Sequence, residues 1–184
     1  MKAMQEVIKT PRFLIVHLAQ PRAMKEMIAR DVTELYSLIQ ALGDVDIIDV
    51  VQQRGKPHGG LYVGTGKAYE LAKQGKEMDI DIVVLNAVVK PMQIANLKKI
   101  LEKEREGIEV WDRVDLILSI FSQHAQTKEA KLQIELAKMR HMGPRIYGMG
   151  KVLSQQSGGI GTVGIGETNT ELMKRHWRSE MKRV

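Results

Sequence analysis

The run FLIVHL, Phe13 to Leu18, decides how the chain is read. It is short, apolar apart from His17, and set between Pro11 and Pro21. Such a run suits a strand covered on both faces, as in a parallel sheet flanked by helices. It is too short to span a membrane and reads better as a buried strand than as a signal peptide.

The pattern continues on its C-terminal side. Ile28, Val32, Leu35, Ile39 and Leu42 recur at spacings of three and four, the buried stripe of one helix, and Gly43 suits its stop. Val45 to Val51 predicts a second strand, and Gln53 to Gly60, with Gly55, Pro57 and Gly59, predicts a loop. Leu61 to Val63 predicts a short strand running into Gly64, Thr65, Gly66 and Lys67. Ala68, Leu71, Ala72 and Gly75 then suit a helix, and Ile80 to Leu85 a strand. Pro91 can open a helix whose inward stripe is Ile94, Leu97 and Leu101, and Ile108 to Trp111 closes the series. Strand–helix alternation implies a parallel sheet with right-handed crossovers. The fold class expected is therefore α/β: a small parallel-sheet α/β subdomain over residues 12–111, followed by an antiparallel helical hairpin over residues 112–184.

The hairpin reading rests on a change of pattern. Val114, Ile117, Phe121 and Ala125, then Leu132, Leu136 and Met139, read as one apolar stripe, with a break in spacing near Thr127 that leaves one helix or two open. Proline disfavours helix in the residue before it, so the stripe is expected to end by Gly143-Pro144. A second helix is expected around Met173, Trp177 and Met181. Between them lies a glycine-rich loop, residues 143–166, containing SGGIGTVGIGE from Ser157. A loop of that length is generally functional or disordered, and its glycines make ordering costly in entropy. It reads as a probe at the hairpin tip that orders on a partner.

Charge is unevenly placed, and by itself it favours a solvated basic helix face over a polyanion-binding half. The chain carries a net charge of +6. Residues 1–111 have 16 basic and 15 acidic side chains; residues 112–184 have 12 basic and 7 acidic. With aromatic residues at only 4%, base stacking is a poor basis for recognition, and phosphate or shape contacts are favoured. At 184 residues the chain suits one domain or two small ones. The absence of cysteine excludes disulfide and thiolate chemistry and fits a cytoplasmic location.

Short motifs need testing against their chemistry. A Walker A loop requires a glycine five positions before Gly66 and a hydroxyl residue after Lys67, but Leu61 and Ala68 stand there. Gly64, Thr65, Gly66 and Lys67, with Asn86, remain a weak nucleotide-binding candidate at the ends of strands; a tight turn with an exposed lysine explains the first four as well. Gly159, Gly161 and Gly164 spell GxGxxG, but no strand precedes them, which excludes the dinucleotide fingerprint. His124, His141 and His176 lack metal-ligand spacing, so no metal site is expected.

Longer stretches carry a family resemblance. YVGTGKAYEL from Tyr62, WDRVDLILSIFSQHAQTKEAKLQIELAKM from Trp111, PRIYG from Pro144 and SGGIGTVGIGET from Ser157 resemble the N-terminal region of the HflX family of ribosome-associated GTPases. The resemblance implies an α/β subdomain and a helical hairpin whose loop reaches into the large ribosomal subunit near the peptidyl-transferase centre, with a role in splitting or rescuing ribosomes. This chain departs from the family pattern at Val163 (usually arginine), Ile165 (usually proline), Asn86-Ala87 (often paired acids) and Met173 (often aspartate). The family's GTPase domain would follow the hairpin, yet no GxxxxGK[ST] occurs. The chain is therefore expected not to be an enzyme and to hold no cofactor; GTP and Mg²⁺ belong to the family's missing domain.

The function expected is a binding module for large-subunit ribosomal RNA. Arg140, Arg145, Lys151, Lys174, Arg175 and Arg178 would contact phosphates, and Gly158, Gly159, Gly161, Gly164 and Gly166 would permit close backbone approach. The alternatives are a nucleotide-binding α/β domain for ATP or GTP, or a stand-alone regulator of ribosomes or of a separate GTPase acting in trans. No membrane partner is expected.

Overall fold

The computed structural model describes residues 9–156, with side chains as far as Met142, together with Arg175 and Ser179. Four strands and five helices occur in that span: β1 (Arg12–Ala19), α1 (Lys25–Gln40), β2 (Asp46–Arg54), α2 (Thr65–Glu77), β3 (Ile82–Leu85), α3 (Pro91–Leu101), β4 (Glu109–Trp111), α4 (Arg113–His124) and α5 (Lys128–Gln156). The sheet is parallel throughout, in the order β2-β1-β3-β4. The α/β expectation holds, and the strand that decided it lies at the centre.

β1 shows why its sequence is apolar on both faces. Leu14 and Val16 face α2 and α3, in a core with Leu71, Leu97 and Leu101. Phe13 and Ile15 face α1 and α4, in a core with Leu35, Ile39 and Leu116. All four β1 residues are at most 1% exposed, so polar substitution on either face would bury an unsatisfied group. Gly43 adopts φ +93 just beyond α1, the left-handed conformation for which glycine is suited at a helix end.

Three local expectations are corrected. Leu61–Val63 is not a strand. His58 and Tyr62 instead exchange two backbone hydrogen bonds, 2.8 and 3.0 Å, and Tyr62 sits at φ +67. That conformation cannot continue an extended strand. All three residues are nevertheless buried, which explains their apolar character.

Second, the helix does not stop at Gly143-Pro144; α5 runs on to Gln156. Proline lacks the N–H that would bond Arg140's carbonyl, but its φ is helical. Arg145, Met149, Lys151, Leu153, Gln155 and Gln156 all favour propagation. Residues 143–156 of the expected loop are therefore helical, and the loop's remaining residues, with the expected second helix, lie outside the described residues. Of that second helix, only Arg175 and Ser179 are described, both helical and exposed.

Third, of the one helix or two left open at Thr127 the structure has two, and the residues expected in the stripe do not all face inward. Residues 125–127 separate α4 from α5 and reset the phase. Leu116 and Ile120, not Phe121, pack into the α1-side core; Phe121 is 55% and Leu132 42% exposed. On α5 the half-buried positions include Ala130, Ile134, Ala137 and His141. α4 and α5 themselves form a short-turn antiparallel pair, and α5 also packs against α3.

Candidate nucleic-acid interface

In a parallel sheet with alternating helices, each helix that follows a strand, here α1 to α4, starts at the strands' carboxyl edge. The loops at that edge carry the chain's candidate ligand groups. The weak nucleotide set lies there but is divided between the two faces. Gly64 caps α2 without any side-chain cap, and Thr65 and Gly66 are exposed in its first turn. Lys67 is held by Glu70 at 2.6 Å. The preceding loop is tied to α3: Gln93 Nε2 donates to the His58 carbonyl at 2.7 Å and Asn96 Nδ2 to that of Gly60 at 2.9 Å.

Asn86 belongs to the opposite face. Its Nδ2 donates to His17 Nδ1 at 2.9 Å and to the Asp31 carbonyl at 3.2 Å, and its Oδ1 accepts from Arg113 Nη1 at 2.9 Å. Arg113 also pairs with Glu34. Burial pushes the His17 imidazole below its ordinary pKa of 6.5, against the pull of the Asp31 carboxylate, and its Nε2 has no hydrogen-bond partner. Asn86 thus closes the crevice between β1 and β3 from within, and the structure does not bring it together with Gly64–Lys67.

A second polar group, which the sequence reading missed, positions α5. Asp112 is fully buried at the N-cap of α4. Its Oδ1 accepts from the N–H groups of Val114 (2.9 Å) and Asp115 (3.0 Å), and its Oδ2 accepts from that of Val89 (3.2 Å). His141 Nε2, 29 residues away in sequence, lies 3.1 Å from Asp112 Oδ1 and 3.5 Å from Asp115 Oδ1. The three side chains are close enough together to hold a cation. Asp112 Oδ1 already accepts two N–H groups and Asp115 Oδ2 accepts that of Asp112 (2.9 Å), so the cluster reads as a pin fixing α5 to the carboxyl edge. The signal in the sequence was Asp112-x-x-Asp115, a capping box that closes a helix start.

From that pin α5 continues to Gln156, roughly 22 Å of helix. Arg140, exposed, precedes the pin by one position. Arg145 and Lys151 lie on the continuation, and their side chains are outside the described residues. Arg175 is exposed; Lys174, Arg178 and Gly158, Gly159, Gly161, Gly164 and Gly166 are outside the described residues. Among the described residues, Lys128, Lys131, Lys138 and Arg140 of α5 form no ion pair. Of the five lysines of α2 and α3, Lys67, Lys73, Lys76 and Lys98 do, and Lys99 does not. No helix among the described residues is long and apolar enough to cross a membrane.

Known proteins share this arrangement. A family model described as GTP-binding GTPase N-terminal matches residues 29–122, and one described as GTP-binding GTPase Middle Region matches residues 124–184. The chain belongs to the HflX family. It is 38% identical over 159 residues to the GTPase HflX of Alkalihalophilus pseudofirmus, covering 86% of this chain and 36% of that protein. To the GTPase HflX of Escherichia coli K12 it is 36% identical over 154 residues, covering 84% and 35%. The chain thus spans about a third of the length of these HflX relatives. A crystal structure of SsGBP with GDP shares the fold, with a TM-score of 0.61 at 23% identity over 94% of this chain and 43% of that one.

Proposed function

We propose that this chain is a binding module for folded RNA of the large ribosomal subunit. Within the HflX family it would supply the RNA-docking part and not the GTP-hydrolysing part. The observation that carries this reading is that the described cations of α5 have no acidic partners among the described residues, on a helix pinned to the body and running on beyond it. Cations left unpaired on an exposed helix are available to phosphate, and phosphate contacts supply most of the salt-dependent affinity for nucleic acid. Arg140, Arg145, Lys151, Lys174, Arg175 and Arg178 are assigned to phosphates, and the glycines from Gly158 to Gly166 to close backbone approach.

The test is co-sedimentation with purified large subunits across a range of salt. Binding that weakens steeply with salt, and a shallower slope after joint replacement of Lys174, Arg175 and Arg178 by alanine, are expected. No binding at low salt, or binding indifferent to salt, contradicts the reading.

A second reading, nucleotide binding at the start of α2, is favoured by one observation. Gly64 and Gly66 have ordinary backbone angles and open space where a side chain would stand, so the fold itself does not require glycine there. Calorimetric titration with ATP and GTP decides it: heat that disappears in Lys67→Ala supports this site, and no heat removes it.

A further inference from the structure

The near-neutral balance of the α/β half conceals a segregation of charge. At the corner where β1 and β2 end, Arg22, Lys25, Arg54 and Lys56 are all exposed, and among the described residues none is in an ion pair. Arg54 Nη1 donates to the carbonyls of Ala23 (2.9 Å) and Pro21 (3.4 Å), which folds the β1–α1 loop, with Arg22 on it, against the end of β2. Lys25 is the first residue of α1, so the positive end of that helix points to the same corner.

Between these groups lies a cleft of about 610 Å³. Ala19, Ile28 and Ala29 line its apolar part, and Lys25, Arg54 and Gln53 its polar part. Gln53 Oε1 is buried and has no hydrogen-bond partner among the described residues. Met24 and Met27, 62% and 42% exposed, extend the apolar surface on α1 beside it.

We propose that this corner is a second RNA-contact surface, separate from the α5 stalk and acting with it. The proposal rests on the RNA-binding reading above and adds the α/β half to the interface. Phosphates would lie on Arg22, Lys25 and Lys56. The corner and the continuation of α5 share the carboxyl edge of the sheet, so one RNA surface can meet both. The acid nearest the corner is Glu26, beside Lys25 in the first turn of α1; Asp79 and Asp81 lie at the amino edge, which faces the other way.

The test compares three triple-alanine variants of the full chain in binding to large subunits at rising salt. One removes Arg22, Lys25 and Lys56, all exposed and outside any described side-chain hydrogen bond. The second removes Lys174, Arg175 and Arg178 of the stalk. The third, a control, removes Lys73, Lys99 and Lys103 toward the amino edge. The corner variant is expected to bind about tenfold more weakly at moderate salt, with a log–log slope shallower by about 2, and the control to change by less than about twofold. A corner variant that matches the control, while the stalk variant is impaired, overturns the second surface and leaves the RNA-binding reading intact. Wild-type protein that does not bind removes both. A corner effect present on intact subunits but absent with protein-free ribosomal RNA identifies an acidic protein as the partner and overturns the RNA assignment.

Discussion

The two edges of the sheet use the same kinds of residue for different ends. At the amino edge, Lys9 reaches Asp79 at 2.5 Å and Asp81 at 3.4 Å, and Arg105 reaches Asp79 at 3.0 Å and Asp81 at 2.5 Å. Arg105 Nε also donates to the Ile80 carbonyl, and the Arg12 N–H donates to Asp81 Oδ2 at 2.9 Å. These charges close the turn between α2 and β3 and tie it to the segment after α3. At the carboxyl edge, Arg22, Lys25 and Lys56 have no such partners among the described residues. The charges just named at the first edge hold the fold; at the second, Lys67, Arg113 and the Asp112–His141 pin do the same, while Arg22, Lys25 and Lys56 are left over. Counting lysines and arginines could not reveal this, because it depends on where each acid falls.

Substitutions can break or sharpen that contrast. The largest effect is expected at Asp112, the buried anchor of the carboxyl edge. Asp112→Ala removes a helix cap and strands several buried N–H groups, and should lower unfolding free energy by roughly 2–4 kcal/mol in urea titration. A loss under about 1 kcal/mol would mean the pin does not hold α5 to the body.

Next is the amino edge. Burial pushes the Asp81 carboxyl up, but the Arg12 N–H, Arg105 and Lys9 together hold it below its ordinary 3.8. A carboxyl depressed in the folded state contributes stability above its unfolded pKa, and that contribution is lost as pH falls through the folded value. Asp81→Asn should therefore cost about 1–2 kcal/mol at neutral pH and flatten the stability curve below pH 3.8. Equal acid sensitivity in wild type and variant would show that the network is ornamental.

A smaller effect is expected between the edges' extremes, at His17. Its depressed pKa means its contribution is complete above pH 6.5 and declines as pH falls below that value. His17→Gln should remove the part of the stability loss that begins below pH 6.5 while leaving the lower step, due to Asp81, in place. An unchanged upper step would assign it to another group.

The smallest effect on stability belongs to the free cations. Joint replacement of Arg22, Lys25 and Lys56 by alanine should shift unfolding free energy by no more than about 0.5 kcal/mol. A loss above about 1 kcal/mol would show that these side chains serve the fold and would erase the difference between the edges.

Much of the body was legible because burial on both faces leaves a plain trace. FLIVHL, the stripe ending at Leu42-Gly43 and the Pro91 helix start all state their roles locally. Strand order did not, because no residue pattern records which strands adjoin. Tyr62 was misread because an apolar triplet looks the same in a buried turn as in a short strand. Pro144 was misread because a proline within a helix and a proline just beyond one carry the same local signal, and only the helix-favouring residues from Arg145 to Gln156 separate the two cases. The Asp112–His141 pin was invisible because it joins positions 29 residues apart. The candidate interface was legible as composition, a basic second half, while the cationic corner in the first half was masked by acids at the opposite edge.

The chain contains no cysteine, so single cysteines can be introduced as clean attachment points for an iron chelate that cleaves nearby RNA. Probes at Lys56→Cys and at Lys103→Cys, on large subunits bearing the protein, measure directly which edge faces RNA. The account predicts ribosomal RNA cleavage from position 56 and little from position 103. Cleavage from position 103 alone, or equal cleavage from both, would contradict it.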